Sequence, residues 1–222
     1  MTRPSAYVSV LGDSISTYRG ISNDEEAHPS LAGNPYFYRE PFPLRETYWM
    51  RLLRSLGLTL CVNNAWSGGN LSGREDETAG VNRARALSRT DGTNPDLVIV
   101  FMGINDLGRN LPAEQFRRDY EYTLALLRAQ YPKAYLCCIN LPDRDPVLSR
   151  RAECFNRIID EAAEKTGERC FVADLFRSPL RFDTYYLNTL DGLHPDMDGM
   201  RMIADVAEAA IRSHCTDLPL LP

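Results

Sequence analysis

The chain has three histidines, His28, His194 and His214, and only His194 has an aspartate three residues before it. Asp191 lies three residues earlier in Asp191-Gly192-Leu193-His194-Pro195. A carboxylate that reaches back across such a turn can hold one ring nitrogen and fix the tautomer. The other nitrogen is then free to take a proton from a hydroxyl, as in a Ser-His-Asp triad. Gly12-Asp13-Ser14 offers that hydroxyl near the N-terminus, although a serine in this setting also suits a simple turn cap. Acyl transfer through a serine further needs donors aimed at the developing oxyanion. Three are on offer: the backbone N–H of Ser14, a backbone N–H in the glycine turn at Gly68, and the side-chain amide of Asn105.

Other chemistries compete for the same residues. Ser67, in Ala65-Trp66-Ser67-Gly68-Gly69, is one residue away from a G-x-S-x-G nucleophile turn. Asp191, Asp196 and Asp198 around His194 are types that bind divalent metals. Acids in the first turn of a helix are, however, favoured by its dipole, which accounts for Asp196 and Asp198 without a metal. Asp106 beside Asn105 reads as structural. No G-x-x-x-x-G-K or G-x-G-x-x-G run occurs, so nucleotide binding lacks its backbone cradle.

These residues must be carried by a frame, and the hydrophobic pattern describes one. Short apolar or β-branched runs at Tyr7 to Leu11, Leu58 to Val62, Asp96 to Phe101, Ala134 to Ile139 and Cys170 to Ala173 read as five strands. Between and after them come segments of helical period: Ala113 to Gln130, Ser149 to Thr166 and Met200 to Ile211. The clearest, Ser149 to Thr166, puts Phe155, Ile158, Ile159, Ala162 and Ala163 on one face and is stopped by Gly167. Alternation of this kind predicts an α/β fold with a parallel sheet covered by helices. In such sheets ligands bind beyond the carboxyl ends of the strands. The stretches after the first three strands, Gly12 to Ser14, Asn63 to Gly69 and Gly103 to Asp106, therefore share one edge. Pro195 suits a first helical position, which puts His194 at the mouth of the last helix. Tyr18 to Leu44 is irregular, with Pro29, Pro35, Tyr36, Phe37, Tyr38, Pro41, Phe42 and Pro43, and a loop that long is usually functional or poorly ordered. It reads either as a packed surface loop or as a wall beside Ser14.

Composition narrows the function classes. The 222 residues, 44% hydrophobic and 25% charged, suit a soluble globular chain, and the lack of a linker favours one domain over residues 1–222 with a frayed tail at 214–222. A net charge of −5 with scattered arginines argues against nucleic acid or an anionic membrane as partner. Six cysteines without C-x-x-C spacing, and an N-terminus without an apolar stretch of signal-peptide length, point to a cytoplasmic protein.

The ordered set Gly12-Asp13-Ser14, Ser67-Gly68, Gly103-Ile104-Asn105-Asp106 and Asp191-x-x-His194 resembles the SGNH/GDSL hydrolases, over residues 6 to about 211. The resemblance implies a three-layer flavodoxin-like fold on a five-stranded parallel sheet. It also implies Ser14 as nucleophile, His194 as base held by Asp191, and an oxyanion hole of Ser14, Gly68 and Asn105, with no metal or organic cofactor. Members cleave esters and thioesters. Here the expectation is a small acyl group, acetyl, on a carbohydrate or similar small-molecule ester, suggested by the polar, aromatic insert. A lysophospholipase or acyl thioesterase of the same family, an acyltransferase, and a ligand-binding protein without turnover are the alternatives.

Overall fold

The computed structural model describes residues 5–21, 36–37, 42–180 and 182–222. Of the irregular segment this includes Tyr36, Phe37 and Phe42, whereas His28, Pro29, Pro35, Tyr38 and Pro41 lie outside the described residues. Five parallel strands form one sheet: β1 (Tyr7–Gly12), β2 (Thr59–Ala65), β3 (Leu97–Phe101), β4 (Tyr135–Ile139) and β5 (Cys170–Ala173), in the order β2-β1-β3-β4-β5. β3 and β4 are buried at every position, which is why each reads as a continuous apolar run rather than an alternating one. The order in which successive strands are added reverses between β1 and β3, with β2 laid on one side of β1 and β3 to β5 on the other. Right-handed crossovers then put the helices from the two halves on opposite faces and open a crevice where they diverge.

One helical layer is formed by α1 (Tyr48–Leu56) with the last helix, α7 (Met197–His214), which packs on α1 and on β4 and β5. The other holds α4 (Ala113–Gln130) and α5 (Ser149–Thr166), joined by Phe116 stacked on Phe155 at 4.4 Å. Short helices α2 (Gly80–Arg83), α3 (Ile104–Gly108) and α6 (Phe182–Tyr185) sit in the connections. No helix among the described residues is long and apolar enough to cross a membrane.

The structure corrects four local expectations. β2 runs on to Ala65, so Asn63 and Asn64 belong to the strand and not to the loop after it; pairing with Val10 and Leu11 keeps them extended. Helix α1 was not among the expected helices. Its signals are a Thr47 hydroxyl accepting the Met50 N–H, a buried stripe of Tyr48, Trp49, Leu52 and Leu56, and Gly57 at φ 67° closing the end. Helix α7 begins at Met197, three residues before the expected start, with Asp196 as its cap. Pro195 therefore precedes the cap and is not the first helical residue. The C-terminal segment is packed rather than frayed: His214 stacks on Phe171 at 4.4 Å, and the Leu221 N–H donates to the Leu56 carbonyl at 2.9 Å.

Candidate active site

At the end of β1 the chain turns into a single 3-10 turn, Ser14–Ser16, whose cap Asp13 accepts the Ile15 N–H at 3.0 Å. The turn folds back so tightly that a Cβ on Gly12 would lie 2.3 Å from Ser16 Oγ, so only glycine fits there. Ser16 shares a hydrogen bond of 2.7 Å with the Tyr48 hydroxyl, and the Asn63 amide donates to the Ser16 carbonyl at 2.9 Å. These contacts anchor the turn and leave Ser14 only 5% exposed at the sheet edge.

His194 arrives from the far end of the sequence on the turn before α7. That turn is closed by the Leu190 N–H to the His194 carbonyl at 2.8 Å and by the Tyr185 hydroxyl to the Leu193 carbonyl at 2.8 Å. His194 Nε2 lies 2.9 Å from Ser14 Oγ, and its Nδ1 lies 2.8 Å from Asp191 Oδ2. The other carboxylate oxygen of Asp191 accepts the N–H groups of His194 and Leu193 at 2.8 and 3.0 Å. Partial burial pushes the Asp191 pKa up. The His194 N–H, the Tyr36 hydroxyl, the His194 ring and the Leu193 N–H outweigh it and hold the carboxyl well below the ordinary range. An ionised Asp191 can only accept, so the ring proton sits on Nδ1 and Nε2 is free to accept from Ser14. Burial also lowers the pKa of His194; Asp191 opposes this, and the Arg144 charge adds to the lowering. The imidazole is therefore neutral near pH 7, as a base must be. Both its nitrogens are taken up by Asp191 and Ser14, which leaves none for Ser67.

The remaining loops supply donors. Gly68 has φ 74°, a conformation that disfavours any side chain, and the Gly69 N–H is tied to the Trp66 carbonyl at 3.0 Å. The Gly69 amide is thus taken up within the loop. Asn105, in the first turn of α3, gives one amide hydrogen to the Gly69 carbonyl at 2.9 Å and keeps the second. Asp106 is a clamp: its two oxygens take the N–H groups of Leu71 and Ser72 at 2.7 and 2.9 Å, holding the glycine loop against α3. Asp196 accepts the N–H groups of Asp198 and Gly199 as the cap of α7. Among the described residues, no three His, Cys, Asp or Glu side chains converge as a metal-holding group.

Two residues that sequence reasoning did not single out complete the setting. Arg83, buried under the loops, donates to the carbonyls of Gly12 at 2.9 Å, Thr78 at 2.7 Å and Asn64. It pins the ends of β1 and β2 together and faces Asp13, whose carboxyl is pushed up to about 7 mainly by complete burial. Tyr36, from the irregular segment, stacks on the His194 ring with centroids 3.3 Å apart and planes at 12°, and its hydroxyl donates to Asp191 at 2.7 Å. A separate groove of about 710 Å³ between α4 and α5, lined by Tyr122, Ala125, Ala129 and Ala162, lies away from Ser14 and holds no nucleophile and base pair.

Residues 10–202 match the family profile described as GDSL-like Lipase/Acylhydrolase. No curated protein matches the chain. A solved structure from Bacteroides ovatus described as a GDSL-like lipase is 19% identical, covers 95% of this chain and 100% of its own, and has a TM-score of 0.72. A carbohydrate esterase family 2 enzyme of Myceliophthora fergusii, solved with a carbohydrate-binding domain, gives 17% identity, 97% and 69% coverage and a TM-score of 0.66. A psychrotrophic esterase of a Pseudoalteromonas species gives 17%, 96% and 100%, with a TM-score of 0.61.

Proposed function

The chain belongs to the GDSL-like lipase/acylhydrolase family, and on that premise we propose that it is a serine esterase that releases a small acyl group from a carbohydrate or similar metabolite. The observation that carries this reading is His194 standing between Ser14 at 2.9 Å and Asp191 at 2.8 Å. In the proposed reaction Ser14 Oγ attacks the acyl carbonyl while His194 Nε2 takes its proton. The tetrahedral oxyanion accepts from the N–H groups of Ser14 and Gly68 and from the Asn105 amide. Collapse expels the alcohol, protonated by His194, and leaves an acyl-Ser14 ester. Water, activated by the same imidazole, then releases the acid.

The small acyl group and the sugar rest on lesser support: the aromatic residues of the irregular segment beside His194, and the likeness in fold to a carbohydrate esterase. Six unpaired cysteines support a reducing, cytoplasmic setting.

Treating the folded protein with a small fluorophosphonate and mapping the adduct tests the nucleophile. Mass added at Ser14, and lost in Ser14→Ala, is the expected result; labelling at Ser67, or none at all, overturns the assignment. A series of p-nitrophenyl esters from acetyl to palmitoyl tests the acyl size, and a maximum at long chains would move the reading to a lysophospholipase or thioesterase.

A further inference from the structure

Resting on that reading of Ser14, His194 and Asp191, we propose that Tyr36 is a positioning residue of the reaction, one that closes a ring of hydrogen bonds from the nucleophile's backbone to its side chain. The ring can be followed atom by atom. The Thr17 hydroxyl donates to the Ser14 carbonyl at 2.8 Å and accepts the Tyr36 N–H at 2.9 Å. At its other end Tyr36 donates its hydroxyl to Asp191 Oδ2 at 2.7 Å; Asp191 holds His194 Nδ1, and Nε2 reaches Ser14 Oγ. The neighbouring residue reinforces the placement. Phe37 accepts the Arg19 N–H on its carbonyl at 3.0 Å and sets its ring edge-on to His194, with centroids 6.2 Å apart.

Two physical needs explain why such a residue belongs here. The first lies with Asp191, whose side chain is 41% exposed, so water has access to the carboxylate that must orient the imidazole. The Tyr36 hydroxyl fills the fourth acceptor position, after the N–H groups of His194 and Leu193 and the ring Nδ1–H. The phenol keeps its proton throughout, because burial and the adjoining carboxylate push its pKa up to about 12. The second need concerns the imidazole, which can turn about its Cβ–Cγ bond unless something lies flat against it. A parallel ring at 3.3 Å stops that rotation and presents a π face to the imidazolium that forms during acylation.

The proposal has a signed consequence. The Tyr36 hydroxyl draws on the same oxygen, Oδ2, that steadies the protonated ring. Tyr36→Phe keeps the stack and removes the donor, so Asp191 stabilises the imidazolium more strongly and His194 holds its proton to higher pH. The acid limb of kcat/KM for p-nitrophenyl acetate is expected to move up. The plateau should fall by roughly ten-fold, at the weak end of a hydrogen bond to a charged group because water can replace the phenol. KM should change little, since the hydroxyl touches Asp191 and not the ester. Tyr36→Leu, which also loses the stack, should cost more in kcat than Tyr36→Phe.

A double-mutant cycle separates positioning from wall-building. In an Asp191→Ala background, which leaves no acceptor for the Tyr36 hydroxyl, Tyr36→Phe should change kcat/KM by less than two-fold, because the partner through which it acts is gone. The low-field proton resonance of the Nδ1–H to Asp191 bond should shift in Tyr36→Phe while the melting temperature stays close to wild type. An unmoved acid limb with fully additive losses would overturn the role of Tyr36 and leave the triad standing. Absence of fluorophosphonate labelling at Ser14 in the wild-type protein would instead overturn the reading on which it rests.

Discussion

Replacing Asp13 by asparagine should make the protein more stable, and by an amount that depends on pH. Asp13 is completely buried, and burial pushes its carboxyl from an ordinary 3.8 to about 7. Below pH 3.8 the group is protonated in the folded and unfolded chains alike and adds no pH dependence. Between the two values the unfolded chain releases the proton while the fold keeps it, so stability falls as pH rises. Above about 7 both states are ionised and the whole penalty remains. At roughly 1.36 kcal/mol per pH unit, the gap from 3.8 to about 7 corresponds to about 4 kcal/mol as an upper bound. Asparagine keeps an oxygen for the Ile15 N–H and carries no charge, so the turn that presents Ser14 survives. Arg83 is not stranded, because its guanidinium still holds the carbonyls of Gly12, Asn64 and Thr78. Urea unfolding of both proteins at steps from pH 4.5 to 8 reads the difference directly. The gain of Asp13→Asn should grow by several kcal/mol up to about pH 7 and then level off. A difference that stays constant across that range would refute the assignment of a raised Asp13 pKa.

Two further outcomes concern catalysis. Asn105→Ala should lower kcat about 10²- to 10³-fold by loss of an oxyanion donor; an unchanged rate would remove Asn105 from the oxyanion hole. The wild-type acid limb should fall below the 6.5 of a free imidazole, and Arg144→Met, which removes a charge opposing protonation of His194, should move it to higher pH. An unmoved limb in that variant would show that Arg144 does not act on the ring.

The parts of the site that sequence could show are those built from short-range turn chemistry. Gly12-Asp13-Ser14 is a strand end followed by a capped turn, and Asp191 to His194 is an Asx turn; both are complete within a few residues. Burial of whole strands makes β3 and β4 visible for the same local reason. Helix α1 is legible too, in Thr47, the stripe at Tyr48, Leu52 and Leu56, and Gly57, although the Pro-rich segment directly before it masks its start. Arg83 was not legible. Its three carbonyl partners lie on β1, on β2 and in the loop before α2, and nothing about an arginine in a polar stretch announces that the fold will bury it. Tyr36 meets Asp191 across 155 positions and stood as one aromatic among several.

The same contrast explains how separate loops act as one site. Each turn by itself sets a direction for its functional atom, but three loops on a sheet edge could drift relative to one another by more than an oxyanion hole tolerates. Arg83 ties β1 to β2, Asp106 ties the glycine loop to α3, and Asn105 ties Gly69 to the same helix. Burying Asp13, Arg83 and Asp106 in this way sacrifices stability, as the raised pKa values of Asp13 and Asp106 record. Apolar residues of similar volume would avoid burying a charge, but they carry no donors or acceptors, so the carbonyls held by Arg83 and the N–H groups held by Asp106 would be left buried and unpaired. Replacing Arg83 or Asp106 by an apolar residue should therefore lower both the urea midpoint and kcat, since buried backbone groups go unpaired and Ser14, Gly68 and Asn105 are placed less accurately; a variant of full stability and activity would show that these side chains do not hold the loops.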